Sequence, residues 1–151
     1  MVKNVLNTLR KKQKNNKGFS LVELIVVIAI MAVLVGILAP QFIKYVEKSR
    51  QSTDMQSVQQ LKSTVETDIS DNENIDTVKI AISGQTATAT ITPKSGTATT
   101  TTAKLKSTGW PTVTYTLEIA TGKWESSLAK GTKAENTKEP TKNMDEVFSL
   151  N

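Results

Sequence analysis

The chain has neither cysteine nor histidine in its 151 residues. Without cysteine there is no disulfide and no thiolate nucleophile, and nothing points to a redox compartment. Without histidine the usual general base and the commonest metal ligand are missing. Most enzymes built on a nucleophile and an imidazole, and most zinc sites, are excluded. A third absence is local. Residues 1–18 contain no acid, only six bases: Lys3, Arg10, Lys11, Lys12, Lys14 and Lys17. Taking those six from the 19 basic residues leaves 13 against 14 acidic ones, so the formal charge of +5 becomes −1 for the remainder. A basic balance often marks contact with nucleic acid or an anionic membrane. Here it belongs to an N-terminal arm, and no direct nucleic-acid binding is expected of the body.

Charge is scarce again from Leu21 to Ala39, where Glu23 is the one ionisable side chain. Nineteen residues at about 1.5 Å rise span roughly 28 Å, close to the hydrocarbon thickness of a bilayer. A cleaved secretory signal would want a shorter apolar region and a small-x-small site. The best candidate, Ile37-Leu38-Ala39, has a bulky outer residue and is followed by Pro40. A core helix fits poorly, because nothing else in the chain is large enough to surround it. The run therefore predicts a membrane span. The basic arm before it, against only Lys44, Lys48 and Arg50 close behind, predicts a cytoplasmic N-terminus with the rest of the chain outside. A carboxylate inside such a segment costs several kcal/mol at the membrane centre on insertion scales, so Glu23 needs a partner or a purpose.

The residues around Glu23 carry a resemblance. Lys17-Gly18-Phe19-Ser20-Leu21-Val22-Glu23, preceded by a basic leader and followed by an apolar helix and a proline, resembles the N-terminus of type IV pilins and related pseudopilins. The likeness covers roughly residues 11–50. It implies that a prepilin peptidase cuts between Gly18 and Phe19 and methylates the new amine of Phe19. A glycine before the cut lets the backbone approach a protease without a Cβ in the way. The resemblance also implies that Glu23 pairs with the Phe19 ammonium of a neighbouring copy, which relieves two buried charges together. Pro40 matches the family's helix-interior proline. It lacks an N–H and crowds the carbonyl of Gly36, so Gly36 and Pro40 mark one weak turn that the family often melts in its filaments. Some pilins carry another glycine where this chain has Ala32, which sets apart the extent of any melting.

Beyond the span, Met55, Val58, Leu61, Val65 and Ile69 recur every three or four residues, predicting one helix from Phe19 to about Ile69, about 75 Å long. The remainder reads as strands. Val78, Ile80 and Ile82 alternate with Lys79 and Ala81, and Ser83-Gly84-Gln85 turns into Thr86–Thr92. Val113, Tyr115, Leu117 and Ile119 alternate with polar partners, and Ala120-Thr121-Gly122 turns into Lys123-Trp124-Glu125. A threonine stretch at 97–102 offers an extra edge strand. The expected fold class is α+β: the pilin ladle, a long N-terminal helix whose amphipathic half is covered by a small antiparallel sheet. The expected divisions are a removed leader (1–18), a membrane and filament-core helix (19–43), its amphipathic continuation (44–70), a β-rich head (71–126) and a polar C-terminal tail (127–151). The tail is expected to be loose apart from a short helix at 144–149 capped by Asn143 and Glu146.

Other signals carry less. Ser127-Leu128-Ala129-Lys130 matches a Ser-x-x-Lys pattern without its companion motifs. Gly122-Lys123 is no phosphate loop, since Trp124 stands where Ser or Thr is needed. Asp68, Asp71, Glu73 and Asp76 lack the turn glycine and ligand order of a calcium loop, and read as a solvated acidic connection. No cofactor, metal or enzymatic activity is expected. By resemblance the chain is a structural subunit, the major pilin, of a type IV pilus serving adhesion, twitching motility or DNA uptake. Its partners would be other copies of itself, the prepilin peptidase, the assembly platform with its ATPases, and the membrane before assembly. A type II secretion pseudopilin and a single-pass anchored surface module are the alternatives.

Overall fold

A computed structural model describes residues 18–138 and 142–150. The leader up to Lys17 lies outside the described residues. Helix α1 runs Leu21–Ser70, followed by strands β1 (Ile75–Ser83), β2 (Thr86–Pro93), β3 (Thr99–Lys104), β4 (Val113–Glu118) and β5 (Lys123–Ser126), then a short 3-10 helix (Met144–Phe148). The fold is thus α+β, as the sequence predicts. The chain divides into two compact units between Gln41 and Phe42.

In the first unit, every large apolar side chain from Leu21 to Leu38 is half or more exposed. This helix alone among the described residues is long and apolar enough to cross a membrane, and none of its apolar window is buried by its own chain.

The second unit is built on the other part of α1. Val58, Leu61 and Val65 form its buried stripe, with Met55 and Ile69 packed at the margins. This part of the helix is rich in Ser and Thr, which ordinarily favour caps and turns. Thr53, Ser57, Thr64, Thr67 and Ser70 each donate the hydroxyl to the carbonyl four residues back, at 2.8–3.0 Å. Those bonds keep polar side chains compatible with the helix. The helix stops where Asn72 accepts the Asn74 N–H at 3.0 Å, a local turn that competes with another helical bond.

The five strands form one antiparallel sheet in the order β3-β2-β1-β4-β5. Alternation places Val78, Ile80 and Ile82, Ala87 and Ala89, and Val113, Tyr115 and Leu117 in one core with the helix stripe. Trp124 of β5 joins them and donates from Nε1 to Glu66 of α1 at 3.1 Å. The threonine stretch supplies the edge strand β3, in register with β2 from Thr86↔Lys104 to Ile91↔Thr99.

The C-terminal segment departs from the loose tail expected. Ala134, Asn136, Met144, Asp145, Val147 and Phe148 are buried. Phe148 stacks on Tyr115 at 3.8 Å between ring centroids and meets Trp124 edge-on at 5.1 Å. Asp145 accepts from the Tyr115 hydroxyl at 2.8 Å and from the Ala134 N–H at 3.0 Å. Lys62 of α1 donates to the Val147 carbonyl at 3.1 Å. Asn143 caps the 3-10 helix as expected, accepting from the Asp145 N–H, while Glu146 contributes its backbone N–H, to the Asn143 carbonyl, in place of its side chain. A few apolar anchors, too far apart to make a periodicity, hold the segment down.

Burial first, then the hydrogen bond and charge of Asp145, push the Tyr115 phenol well above its ordinary value of 10.0. The folded state therefore favours the neutral phenol. That contribution is fully present below about pH 10 and is lost as pH rises toward the higher folded value. Tyr115→Phe is expected to lower stability at neutral pH by about 1–3 kcal/mol, because a buried carboxylate oxygen loses its donor. It is also expected to flatten the decline in stability above pH 10. Denaturant titrations of the detergent-solubilised chain at neutral and alkaline pH check both, and an equally steep alkaline decline in the variant would count against the assignment.

Candidate processing and assembly site

Gly18, Phe19 and Ser20 precede the helix without regular structure and are exposed, Phe19 at 88%. No atom lies within 4 Å of where a Gly18 Cβ would stand, so nothing in the described fold itself demands glycine there. A protease needs its substrate backbone out of the helix, and this junction meets that need two residues before α1 begins.

Ser20 occupies the N-cap. Its carbonyl accepts the first helical bond from the Leu24 N–H at 3.2 Å. Its own N–H donates to Glu23 Oε2 at 2.9 Å. Glu23 is the third residue of the helix, so this is the return arm of a capping box, with a negative group at the positive end of the helix dipole. The Ser20-x-x-Glu23 spacing carries that signal in the sequence, and the sequence reading missed it. An ionised carboxylate has about four acceptor positions. One on Oε2 is taken, and Oε1 has no hydrogen-bond partner among the described residues. The geometry allows Glu23 to cap its own helix and accept a further donor.

Gly36 and Pro40 both lie inside α1. Pro40 brings no N–H to the Gly36 carbonyl, so that turn has one bond fewer than its neighbours. The structure therefore brings Gly18, Phe19 and Glu23 together at the start of α1 and sets Gly36 and Pro40 further along it.

A second polar cluster escaped the sequence reading. Asp54 of α1 is buried and accepts from the N–H groups of Lys106 and Ser107 at 2.6 and 2.8 Å and from Trp110 Nε1 at 2.9 Å. The Ser107 hydroxyl donates to Glu47 and accepts from Asn136 Nδ2 at 2.7 Å. A Cβ on Gly109 would fall 2.1 Å from Asn136 Oδ1, so only glycine fits that crossing. These groups satisfy one another, which is the behaviour of a structural lock. The buried Gln51 amide, one turn before Asp54, has no hydrogen-bond partner among the described residues.

Residues 13–39 match the family model of the prokaryotic N-terminal methylation motif. The matched segment contains Gly18, Phe19, Glu23 and Gly36 and ends one residue before Pro40. The chain thus carries a type IV pilin-like prepilin leader. With the long apolar helix and the five-stranded antiparallel sheet, the motif supports a protein of the type IV pilin or pseudopilin type. Neither a curated protein nor a solved structure matches the chain.

Because the Gly18 side is open, Gly18→Val is expected to leave the stability of the head unchanged to within about 0.5 kcal/mol. It is expected to block removal of residues 1–18. Intact mass of the membrane-extracted protein, beside a thermal unfolding curve, separates the two effects, and normal maturation of the variant would refute the requirement.

Proposed function

We propose that the chain is a structural subunit, the main one, of a type IV pilus. It is held as a single-pass precursor in the cytoplasmic membrane with its N-terminus inside. A prepilin peptidase cuts between Gly18 and Phe19 and methylates the Phe19 amine. The mature subunit then polymerises through α1, driven from the assembly platform, into a surface filament. The observation that carries this reading is the conjunction at the start of α1. A processing motif adjoins a carboxylate whose Oε1 has no partner among the described residues, on a helix whose large apolar side chains from Leu21 to Leu38 are half or more exposed.

The physics of assembly follows. A carboxylate at the edge of the hydrocarbon and a new terminal amine each carry a desolvation cost. Bringing Phe19 N+ of one copy to Glu23 of another offsets both costs in a low dielectric and fixes the axial stagger between copies. The apolar side chains exchange lipid for one another. The turn at Gly36 and Pro40 is the part of the helix that gives first when the filament is stretched.

Mass spectrometry of fibres sheared from cells is expected to recover this chain beginning at an N-methylated Phe19. Intact residues 1–17 on the mature protein would refute the processing scheme, and absence of the chain from surface fibres would favour a secretion pseudopilus. Glu23→Ala is expected to be inserted and cleaved but to lower fibre yield by at least about a hundredfold, in keeping with the 3–5 kcal/mol of breaking a buried pair. Normal fibres from that variant would remove Glu23 from the assembly step. Pro40→Ala restores the missing bond and is expected to give fibres that extend less under the same pulling force.

A further inference from the structure

The four carboxylates set aside above as a solvated connection stand at the wrong end of a helix. Asp68 lies in the last turn of α1, and Asp71, Glu73 and Asp76 follow it, all exposed. The C-terminal end of a helix is its negative pole, and this one has no basic residue in its last turn. Among the described residues none of the four has a lysine or arginine ion-pair partner; the pairs present are Arg50–Glu47 and Lys62–Glu66. Lys94 reaches toward the loop but donates to the Glu73 backbone carbonyl, at 3.4 Å. Glu118 and Lys123 are register partners across β4 and β5, and the Glu118 carboxylate accepts from the Thr121 hydroxyl. The four acids are not grouped so as to hold a metal ion among the described residues. Among the described residues only the Lys94 ammonium, on the Glu73 carbonyl, and the Thr77 hydroxyl, on Asp76, offset the repulsion of the four acids from one another and from the helix pole.

The opposite end of the same head is basic. Lys104 closes β3, pairing with Thr86 at the start of β2, and Lys106 follows with its backbone N–H on Asp54. Lys138 comes to the same level, its N–H on Asn136, which in turn holds Ser107. All three lysines are exposed. Among the described acids at that level, Glu47 is held by Arg50 and Ser107 and Asp54 by three N–H donors, which leaves Glu135 exposed beside the three lysines. From Asp54 to Ser70 the helix advances about 24 Å at 1.5 Å per residue. The head is therefore polarised along its own helix, acidic at one end and basic at the other.

We propose that the acidic end formed by Asp68, Asp71, Glu73 and Asp76 docks against the Lys104, Lys106 and Lys138 end of a second copy of this chain. The proposal rests on the filament reading and deepens it. Copies staggered along the helix axis bring the acidic end of one head to the basic end of another. The contact uses two different patches and is therefore heterologous, and with a stagger along the helix axis it does not close into a ring but propagates as an open filament. It sets the head-to-head register and excludes a reversed subunit, which would place like charges together.

The test is charge reversal in the full chain expressed with its assembly machinery. Asp71→Lys with Glu73→Lys, and separately Lys104→Glu with Lys106→Glu, are each expected to lower sheared-fibre yield about tenfold while leaving cleavage at Gly18 and thermal unfolding unchanged. Combining all four reversals restores complementarity and is expected to recover yield to within about twofold of the parent. Glu23→Ala is run beside them. If Glu23→Ala abolishes fibres while both reversals assemble normally, or if the folded combined variant fails to recover, the docking inference is overturned and the filament reading stands. If Glu23→Ala itself assembles normally, the filament reading falls first.

Discussion

Fourteen large apolar side chains between Leu21 and Leu38 stand half or more exposed, on a stretch of α1 that the described residues leave uncovered. Full burial of such a side chain is worth about 1.5–3 kcal/mol, and at half or more exposure each retains about 1–2 kcal/mol of that, so together they represent on the order of 20 kcal/mol that the subunit does not recover by folding alone. A surface of that kind has two stable environments, lipid or other helices like itself. Everything proposed for this protein follows from the need to move between them. In the proposed scheme the basic leader orients the helix in the membrane, the cut releases it, and the polar contact chooses one arrangement among many apolar ones that are nearly equal in energy.

The head meets a separate problem, that of holding a small sheet together without a disulfide. Two buried carboxylates stand where cross-links would. Asp54 gathers three donors from the 105–110 connection onto the helix, and Asp145 ties the C-terminal segment to Tyr115 and to Ala134. A hydrogen bond to a charged group contributes about 1.5–3 kcal/mol, so one or two of them already match the roughly 2–4 kcal/mol typical of a disulfide. Aromatic contact reinforces the second tie, with Phe148 lodged between Tyr115 and Trp124.

What the sequence showed and what it hid divide along a physical line. Alternation in Val78-Ile80-Ile82 and Val113-Tyr115-Leu117, the stripe from Val58 to Val65, and the Gly18–Glu23 junction are regular signals, and each was legible. The structure extends the same helix stripe back through Asp54 and Gln51, which a periodicity of apolar residues passes over. Asp54 is buried because its partners arrive from residues 106–110, more than fifty positions away, and no local pattern announces such a pairing. Met144, Val147 and Phe148 were diluted by the polar residues around them. The Ser20–Glu23 cap was present in the spacing, yet the cost of a carboxylate in an apolar run drew all the attention to Glu23 as an intersubunit group.

That cap changes the argument about Glu23. A flexible glutamate would lose rotamer freedom on meeting a partner, at about 0.5–1.5 kcal/mol for such a side chain. Here the Ser20 N–H already holds Oε2, so much of that ordering is complete before a second copy arrives. The capping bond also ties the carboxylate to the first turn, one residue from the amine that cleavage would create. In the proposed filament the two roles reinforce each other. The cap orients the carboxylate and the helix pole favours its charge, while Oε1 remains to receive the incoming ammonium. A single residue then serves as helix start in the membrane and as a receptor in the fibre, with no rearrangement between the two.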